Sequence, residues 1–442
     1  MAARAPSDVR VLMFGYGTTG QAVCAQCISQ GIPIAVSEAG TLSEQQQQQL
    51  RAASVRFEQG GHTIRFLDRA STLVLSPGVR PDLAAVDAAR ERGIEVLSEL
   101  DWASRQLPNC RTIAVTGTNG KSSTVQAIAS IVNQFGTKAW AVGNIGTPLV
   151  AIVNDVCASD VVVIEASSYQ LEQSKEFRPK VAVLLNLTPD HLARHGTLEA
   201  YARAKAGIFE RQSVRDTAIM PRALASIFDQ GDGLRVYYDE AQIEWPDGAA
   251  ELYAHERTNL RAALLAIRAV EPDFGVARIP ASTLVQAFHM PHRMERLGRI
   301  AGVSVINDSK STNAASTIAA LQAIAGPVVL LLGGKAKRGG YELLRDQLAH
   351  SDLRGIVAFG EAADAFERWL NPLAPRMASV ETLQKAVAAA IAWARPGDTI
   401  LLSPGCASFD QFDSFAHRGD LFSSIIRAHP EFHPDRSQGR PS

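Results

Sequence analysis

The sequence predicts an α/β protein of three domains built on parallel sheets. Short aliphatic runs alternate with helical patterns along most of the 442 residues, and this alternation is typical of parallel sheets covered on both faces. Two glycine-rich turns follow apolar runs directly, GYGTTG at residues 15–20 and TGTNGKSS at residues 116–123. At about 150 residues per domain, the length favours three domains. We place them at residues 1–103, 104–290 and 291–442.

Nine apolar runs are predicted strands: Val9–Phe14, Ile34–Ser37, Leu73–Leu75, Thr112–Val115, Val161–Glu165, Val181–Asn186, Val328–Leu332, Ile356–Phe359 and Thr399–Leu402. Helical patterns at Val125–Gln134, Thr317–Ala323 and Leu383–Trp393 separate several of them. In parallel sheets ligands bind at the carboxyl ends of the strands. The unusual polar residues of this chain lie mostly at those ends, so we expect them to be functional.

The overall composition argues against several classes of protein. Lysine and arginine number 44 against 45 acidic residues, for a net charge of −1, which does not predict a basic surface for nucleic acid. The N-terminus has no apolar core of the kind that a secretory signal needs. Apolar runs such as VVLLL are far shorter than the roughly 20 residues of a membrane span. We therefore expect a cytoplasmic protein with no membrane span and no nucleic-acid partner.

The first glycine turn has the G-x-G-x-x-G pattern of a dinucleotide site at a helix N-terminus. Glu38 lies 18 residues beyond Gly20, a spacing that suits contact with a ribose or a base. Taken alone, the turn is compatible with a nicotinamide cofactor or with another diphosphate.

The second glycine turn predicts a phosphate loop between a strand and a helix. Its backbone N–H groups would bind an anion, Lys121 would reach the β- and γ-phosphates, and Ser122 or Ser123 would reach Mg²⁺. The strict Walker pattern fails, since Val115 stands where its first glycine is required. The loop residues are Gly117, Thr118, Asn119, Gly120, Lys121, Ser122 and Ser123.

Two further strands end in polar residues. Glu165 closes the run VVVIE, and a carboxylate in a buried strand is paired or binds a cation, so it is a candidate Mg²⁺ ligand. The alternative for Glu165 is a helix-capping or salt-bridged acid. The run VAVLL ends in Asn186, followed by Asp190 and His191. Lys205, fourteen residues after His191, looks by itself like an ordinary helix lysine.

Three polar loops follow predicted strands in the last third of the chain. We expect them to form one pocket, and their cations and hydroxyls suit an anionic substrate. The residues that we single out in these loops are Asp308, Lys310, Thr312 and Asn313, then Gly333, Gly334 and Lys337, then Ser403, Pro404, Ser408, Asp410 and Phe415.

Together these motifs resemble the Mur ligase family of peptidoglycan synthesis, nearly along the whole chain and in the family's order. The matching motifs are the turn at 15–20, SPGV at 76–79, TGTNGKSS at 116–123, GNIGTP at 143–148, EASSYQLE at 165–172, NLTPDH at 186–191, HR at 292–293, NDSKSTN at 307–313, LLGG at 331–334 and SPGCASFDQFDSFAHRG at 403–419. The last motif and the first domain favour the branch of the family that adds D-glutamate.

The resemblance implies a fold and a reaction. The fold has a Rossmann-like N-terminal domain that binds the UDP precursor, a central P-loop ATPase-like domain with a parallel sheet, and a C-terminal Rossmann-like domain that binds the amino acid. The reaction is an ATP-dependent amide ligation that adds D-glutamate to UDP-N-acetylmuramoyl-L-alanine through an acyl phosphate. Two Mg²⁺ ions and a CO₂-derived carbamate on a lysine assist it. We expect the enzyme to be a monomer.

The resemblance also assigns residues by their match to the family's motifs. The catalytic set is Lys121, Glu165, His191, Lys205 and Lys310. The metal ligands are Ser122, Ser123, Glu165, His191 and Lys205, the last as its carbamate. The UDP-substrate set is Gly17, Thr18, Thr19, Ser37, Glu38, Gly78, Asn144, Ser167 and His191. ATP contacts the phosphate loop together with Asn259, Arg293 and Asp308, and glutamate contacts Thr312, Lys337, Ser408 and Phe415.

Two departures and three alternatives stand beside this interpretation. Glu256 stands where the family has an amide near adenine. The run Val36-Ser37-Glu38-Ala39 has no arginine near the end of the second strand, where the family often has one beside uracil. One alternative is another amide ligase, either a different Mur ligase or a folylpolyglutamate synthetase, although the latter would lack the first domain. The others are an NAD-dependent dehydrogenase and a non-catalytic nucleotide sensor.

Overall fold

The computed structural model describes residues 10–68, 70–288, 290–337, 341–370 and 372–434. The chain forms two compact units. The first comprises residues 1–186, 202–245 and 260–279, and the second comprises residues 187–201, 246–259 and 280–442. The domain boundaries given above stay a prediction. Among the described helices, none has both the length and the apolar character to cross a membrane.

The N-terminal sheet of the first unit is parallel, with strand order β3-β2-β1-β4-β5. Its strands are β1 (Val11–Phe14), β2 (Ile34–Glu38), β3 (Arg56–Gln59), β4 (Thr72–Leu75) and β5 (Glu95–Ser98). The helices are α1 (Thr18–Ser29), α2 (Glu44–Ala52), α3 (Ala84–Glu91) and α4 (Glu99–Ser104). This order brings the ends of β1, β2 and β4 together around the glycine turn.

The second sheet of this unit is also parallel, in the order β11-β10-β9-β6-β8-β7. Its strands are β6 (Arg111–Thr116), β7 (Ala139–Gly143), β8 (Val161–Glu165), β9 (Val181–Leu184), β10 (Thr217–Met220) and β11 (Leu234–Tyr237). Helices α5 (Lys121–Gln134), α6 (Ser168–Gln173), α7 (Leu192–His195) and α8 (Leu198–Ala206) occur between these strands in the sequence. Helices α9 (Ala254–Val270) and α10 (Ala281–Phe288) follow them.

The sheet of the second unit is mixed, with seven strands in the order β16-β15-β14-β17-β13-β12-β18. The strands are β12 (Glu295–Ile300), β13 (Val303–Asn307), β14 (Val328–Gly333), β15 (Leu353–Phe359), β16 (Met377–Val380), β17 (Thr399–Gly405) and β18 (Phe432–Pro434). The helices are α11 (Ala314–Gln322), α12 (Tyr341–Ala349), α13 (Ala363–Leu370), α14 (Leu383–Trp393) and α15 (Phe415–Arg427). Strand β12 runs antiparallel to both of its neighbours.

The α/β class is confirmed, and its physical origin is visible in the central strands. All five residues of β8 are buried, as expected of a parallel strand covered on both faces. The predicted strands and helices are present, with ends that differ by a few residues, and Val9 lies outside the described residues. One edge of the last sheet departs from the parallel pattern, because β12 pairs antiparallel with β13 and β18.

Candidate active site

The phosphate loop occupies the turn between β6 and α5. Gly117 and Gly120 have φ values of 149° and 89°, in the left-handed region that favours glycine. A Cβ on Gly117 would lie 3.1 Å from that of Leu185, so the loop also needs glycine there for space. Helix α5 begins at Lys121, with Ser122 and Ser123 buried in its first turn. Backbone N–H groups at this helix start form an anion site.

Asn186 fixes the shape of this loop. Its side-chain Oδ1 accepts hydrogen bonds from the backbone N–H groups of Thr118 (3.1 Å) and Asn119 (2.9 Å). Its Nδ2 donates to the carbonyl of Asn119 at 3.0 Å. In the sequence Asn186 follows an apolar run, and no local pattern predicts a role for it. The signal that was missed is the pairing of β9 with β6, which places the residue after β9 beside the loop.

Two predicted catalytic lysines lie against the same loop. Lys121 Nζ donates to the carbonyls of Gly117 (2.9 Å) and Thr118 (2.8 Å). Lys205 Nζ donates to the same Gly117 carbonyl at 2.8 Å, and the Lys205 residue is only 1% exposed. A fully buried lysine is rare. Lys205, which looked ordinary in the sequence, is therefore part of the phosphate-loop environment.

Glu165 ends β8, beside Val115 of β6 and Gly143 of β7. It is buried, and its Oε1 accepts a hydrogen bond from Asn144 Nδ2 at 3.0 Å. Its Oε2 is buried and has no hydrogen-bond partner among the described residues. An unsatisfied buried carboxylate oxygen is costly, and it is the ligand type that Mg²⁺ prefers. This donor set fits a Mg²⁺ ligand better than a capping or salt-bridged acid.

No protein cluster in the described ranges brings three His, Cys, Asp or Glu side chains together as a metal site. A Mg²⁺ ion at Glu165 would therefore depend on oxygen ligands of other kinds, such as hydroxyls, phosphates or water. Mg²⁺ commonly binds in this way, through one or two carboxylates and the phosphates of a substrate.

A cavity of about 700 Å³ opens at the glycine turn of the N-terminal sheet. Of the predicted UDP residues, Gly17, Glu38 and Gly78 line it. Glu38 also holds the turn itself, since its Oε2 accepts from the N–H of Tyr16 at 2.5 Å. Thr18 and Thr19 begin α1, and Ser37 is buried on β2. His62 lines the cavity too, although sequence analysis gave it no role.

Asn144 and Ser167, assigned to the sugar–alanine arm, follow neighbouring strands of the second sheet. The N–H of Asn144 donates to the Glu165 carbonyl at 2.9 Å. Ser167 caps α6, where its Oγ accepts from the N–H of Gln170 at 3.3 Å. Both residues thus lie at the carboxyl ends of β7 and β8, within reach of the Glu165 environment.

In the second unit, Asp190 pairs with two residues of distant loops. Its Oδ1 lies 3.0 Å from Lys337 Nζ, and its Oδ2 accepts from Asn313 Nδ2 at 2.9 Å. Burial alone would raise the pKa of Asp190, but Lys337 and His191 outweigh it and lower that pKa below its usual value. His191 adopts a left-handed conformation with φ of 55°. Asp190 is a second residue that sequence analysis left without a role.

The predicted residues of the NDSKSTN loop lie close to one another. Asp308 is buried and accepts hydrogen bonds from Ser403 Oγ (2.8 Å) and the N–H of Met294 (3.1 Å). Burial raises its pKa to about 6, against the effect of these donors and of Arg293. Lys310 Nζ lies 5.4 Å from the centre of the Phe415 ring, a cation–π distance. The structure thus places Lys310, a predicted catalytic residue, beside Phe415, a predicted glutamate-binding residue.

Arg418 joins the three polar loops that were expected to form one pocket. The side chain is fully buried and donates to the carbonyl of Ser309 (2.8 Å), to that of Cys406 (3.2 Å) and to that of Gly333 (3.5 Å). Burial lowers its pKa to about 10. Ser408 is buried and Thr312 half-buried on two of these loops. The three loops converge as expected, and Arg418 is a further residue whose role no local sequence pattern predicts.

The turn that departs from the family's adenine motif has its own structural role. Glu256 is buried, and its Oε2 accepts from the N–H of Tyr253 at 3.0 Å, so it caps the start of α9. His255 stacks on the Tyr253 ring, and burial followed by the charge of Arg293 lowers its pKa to about 4. Asn259, the remaining residue assigned to ATP in this turn, is buried.

Three family models match the chain. They are the Mur ligase MurD-like N-terminal domain at residues 9–98, the Mur ligase middle domain at residues 115–230, and the Mur ligase glutamate ligase domain at residues 292–406. A relative from Koribacter versatilis, named UDP-N-acetylmuramoylalanine–D-glutamate ligase, is 35% identical over 95% of this chain and 97% of its own. The chain belongs to the Mur ligase family. A relative of the same name from Pelotomaculum thermopropionicum is also 35% identical, over 94% of this chain and 97% of its own.

Solved Mur ligases share the fold of this chain. UDP-N-acetylmuramate-alanine ligase MurC from Thermotoga maritima aligns with a TM-score of 0.56 at 16% identity, over 95% of this chain and 99% of that one. MurF from Acinetobacter baumannii aligns with a TM-score of 0.58 at 16% identity, over 89% and 91%. At these identities the likeness concerns the fold alone. The three-domain Mur ligase fold predicted from the motifs is confirmed.

Proposed function

We propose that this Mur ligase joins D-glutamate to UDP-N-acetylmuramoyl-L-alanine with ATP, in the synthesis of peptidoglycan precursors. The observation that carries the proposal is the phosphate loop with the unsatisfied carboxylate oxygen of Glu165 on the neighbouring strand. A phosphate site beside a buried Mg²⁺-type ligand suits phosphoryl transfer from ATP. The full-length relatives that carry the D-glutamate ligase name support the choice of substrates.

The reaction follows from the weakness of a carboxylate as an electrophile. ATP phosphorylates the terminal carboxylate of the alanine, which turns one of its oxygens into a leaving group and releases ADP. The amine of D-glutamate then attacks the acyl carbon, and the tetrahedral intermediate expels phosphate and loses a proton to leave the amide. Lys121 and Lys310 would offset the charge that gathers on the phosphoryl group.

A Mg²⁺ ion would be held by Ser122 or Ser123 and Glu165, and when bound it neutralises phosphate charge. The carbamate on Lys205 and the second Mg²⁺ ion, assigned above to His191 and Lys205, belong to the same proposal. The burial of Lys205 supports the carbamate, since burial disfavours an ammonium and only the neutral amine combines with CO₂. Carbon-13 NMR with labelled CO₂ tests it. A carbamate signal in the wild type should vanish in Lys205→Gln and persist in Lys175→Gln.

The UDP moiety is assigned to the N-terminal cavity, with its diphosphate at the glycine turn and the start of α1. D-Glutamate is assigned to the loops joined by Arg418. There Lys337 would bind one of its carboxylates, and Thr312, Ser408 and Phe415 would surround the rest of the molecule. The shared anchor of those loops supports a single pocket. We further propose that the enzyme acts as a cytoplasmic monomer, which light scattering on the purified protein and fractionation of cells would test.

One experiment tests the reaction. The protein is incubated with ATP, Mg²⁺, UDP-N-acetylmuramoyl-L-alanine and one amino acid at a time, including both glutamate enantiomers and a diamino acid. Phosphate release and product mass are measured, with Lys121→Ala as the inactive control. Product with D-glutamate alone is expected. Product with a diamino acid instead would indicate another Mur ligase, and NADH turnover without ATP would indicate a dehydrogenase.

A further inference from the structure

His62 gives the N-terminal cavity a polar ring that the family motifs do not account for. It lies in the loop after β3 and lines the cavity together with Gly17, Glu38 and Ala39. Its imidazole stacks on the Phe14 ring, with centroids 4.3 Å apart and planes 10° from parallel. Because Phe14 is completely buried, the imidazole has a fixed support. His62 is therefore a supported ring on the wall of the cavity, where a bound base could meet it.

The hydrogen bonds of Ser37 assign the tautomer of His62. Ser37 Oγ lies 2.7 Å from Glu58 Oε1 and 2.7 Å from His62 Nδ1. Glu58 acts as an acceptor, since it also accepts from the N–H and Oγ1 of Thr63. The single hydroxyl proton of Ser37 therefore goes to Glu58, and Ser37 Oγ accepts a proton from Nδ1 of His62. This leaves the lone pair of a neutral imidazole on Nε2.

The neutral form of His62 has independent support. Burial lowers the pKa of His62 below its usual value, although the charges of Glu38 and Glu58 act in the opposite direction. The imidazole is therefore uncharged at neutral pH. Because Ser37 engages Nδ1 and the imidazole lines the cavity, Nε2 is the ring nitrogen with which His62 would accept a hydrogen bond from a ligand.

We propose that His62 is a specificity-determining residue, whose Nε2 accepts the imide N–H of uracil and thereby selects uracil over cytosine. Uracil carries a proton on its N3, whereas the N3 of cytosine carries a lone pair. Against cytosine, two lone pairs would face each other and both would stay unsatisfied, which a site of this kind rejects strongly. The inference rests on the proposed function, which places the UDP moiety in this cavity.

The test compares the binding of UDP and CDP by calorimetry in the wild type and three variants. We expect the wild type to prefer UDP by at least about tenfold, the ratio that corresponds to one net hydrogen bond. His62→Phe keeps a ring against Phe14 but removes the acceptor, so the ratio should fall toward one. His62→Gln can again offer an acceptor and should keep part of the preference. Ser37→Ala removes the hydrogen bond that fixes the tautomer of His62, so it should lower the preference for UDP over CDP.

Each outcome decides between the claims. A wild type that binds neither nucleotide contradicts the UDP assignment of the proposed function. A wild type that binds UDP and CDP equally, or a His62→Phe variant that keeps the wild-type ratio, overturns the role of His62 and leaves the proposed function intact. If His62→Phe fails to fold, a UDP analogue methylated at N3 is tested on the wild type beside His62→Gln. Undiminished affinity for that analogue would overturn the inference.

Discussion

The carboxylate of Asp190 and the ammonium of Lys337 form an ion pair of 3.0 Å, although 147 residues separate them in the sequence. Asp190 is 5% exposed, so the pair is partly shielded from water and stronger than a surface ion pair. One consequence is that Lys337 has a fixed position from which to meet the carboxylate of an amino acid.

Replacing Lys337 by alanine should therefore raise the KM for D-glutamate and leave the Kd for the UDP substrate unchanged. The loss of one charge-assisted hydrogen bond, worth about 1.5–3 kcal/mol, corresponds to roughly ten- to hundredfold in KM. Steady-state kinetics with varied D-glutamate measure the change. Lys335→Ala is the matched control, since that exposed lysine belongs to the same loop. An unchanged KM for glutamate in Lys337→Ala would contradict the assignment.

Asn186→Ala should weaken ATP binding, because the loop amides of Thr118 and Asn119 lose their common acceptor. We expect the KM for ATP to rise roughly thirtyfold, because each of the two amides loses a hydrogen bond worth about 1 kcal/mol, with UDP binding unchanged. Asn133→Ala is the control. Asn133 also bonds backbone through its amide, accepting from the N–H of Ala139 and donating to its carbonyl, away from the phosphate loop. Equal effects of the two substitutions would mean that Asn186 acts only on stability.

Glu165→Gln should remove the stabilisation of the protein by Mg²⁺ and ADP, since the amide cannot replace a carboxylate ligand. Thermal unfolding with and without Mg·ADP measures this directly. A wild-type rise in Tm that disappears in Glu165→Gln is the expected result, together with a loss of ATP turnover of about a hundredfold or more. Glu172→Gln, an exposed residue of the same motif, should behave as the wild type. A retained Mg·ADP shift in Glu165→Gln would exclude Glu165 as a ligand.

Glu99 should make stability depend on pH. Burial raises its pKa from 4.5 to about 7, against hydrogen bonds from Val150 and Gln170. Between these values the folded state holds a proton that the unfolded state has lost, so the free energy of unfolding falls as pH rises from 4.5 to 7. In Glu99→Gln, the fall in the free energy of unfolding with rising pH should be smaller by up to about 3 kcal/mol, since each pKa unit corresponds to about 1.4 kcal/mol. Denaturant unfolding at pH 5 and pH 8 measures it.

The control for Glu99 is Glu91→Gln, at an exposed position on α3. That substitution should leave the difference in unfolding free energy between the two pH values as it is in the wild type. Identical pH dependence of Glu99→Gln and the wild type would show that Glu99 does not retain a proton in the folded protein.

Arg418→Lys should destabilise the protein and also raise the KM for D-glutamate. Lysine has three donors on one nitrogen and cannot reach the carbonyls of Ser309, Gly333 and Cys406 as the guanidinium does. We expect a loss of about 3 kcal/mol in the free energy of unfolding, since buried carbonyls become unsatisfied. Arg427→Lys, exposed on the same helix, is the control. A glutamate KM that stays at the wild-type value would show that the loops keep their arrangement without Arg418.

Residues whose role depends on a local motif could be predicted from the sequence. Lys121 follows a glycine turn, and Glu165 ends an apolar run. The structure places Lys121 at a helix start and Glu165 at a strand end, as these patterns predict. The family, predicted from the order of the motifs, is confirmed by the family models and the relatives, and the reaction stays a proposal. Strand β12 was missed because its sequence, ERLGRI, has two charged arginines and a glycine in place of an apolar run.

Residues whose role depends on the packing of distant segments could not be predicted. Lys205 is ordinary on its helix, and only the fold places it against the carbonyl of Gly117. Asn186 reaches the phosphate loop because β9 pairs with β6. Local sequence periodicity does not predict the order of strands in a sheet. The same holds for Asp190 and Lys337. The individual site assignments made from the motifs stay predictions until the variants above are measured.

The single guanidinium of Arg418 also limits how this protein can be redesigned. Side chains that project from the three loops can be exchanged one at a time to accept a different amino acid. A whole loop transplanted from a relative, however, must present its carbonyl where Arg418 already points, or the other two loops lose their common anchor. A graft should therefore include all three loops and the start of α15 together. Natural recombination within this segment is subject to the same restriction.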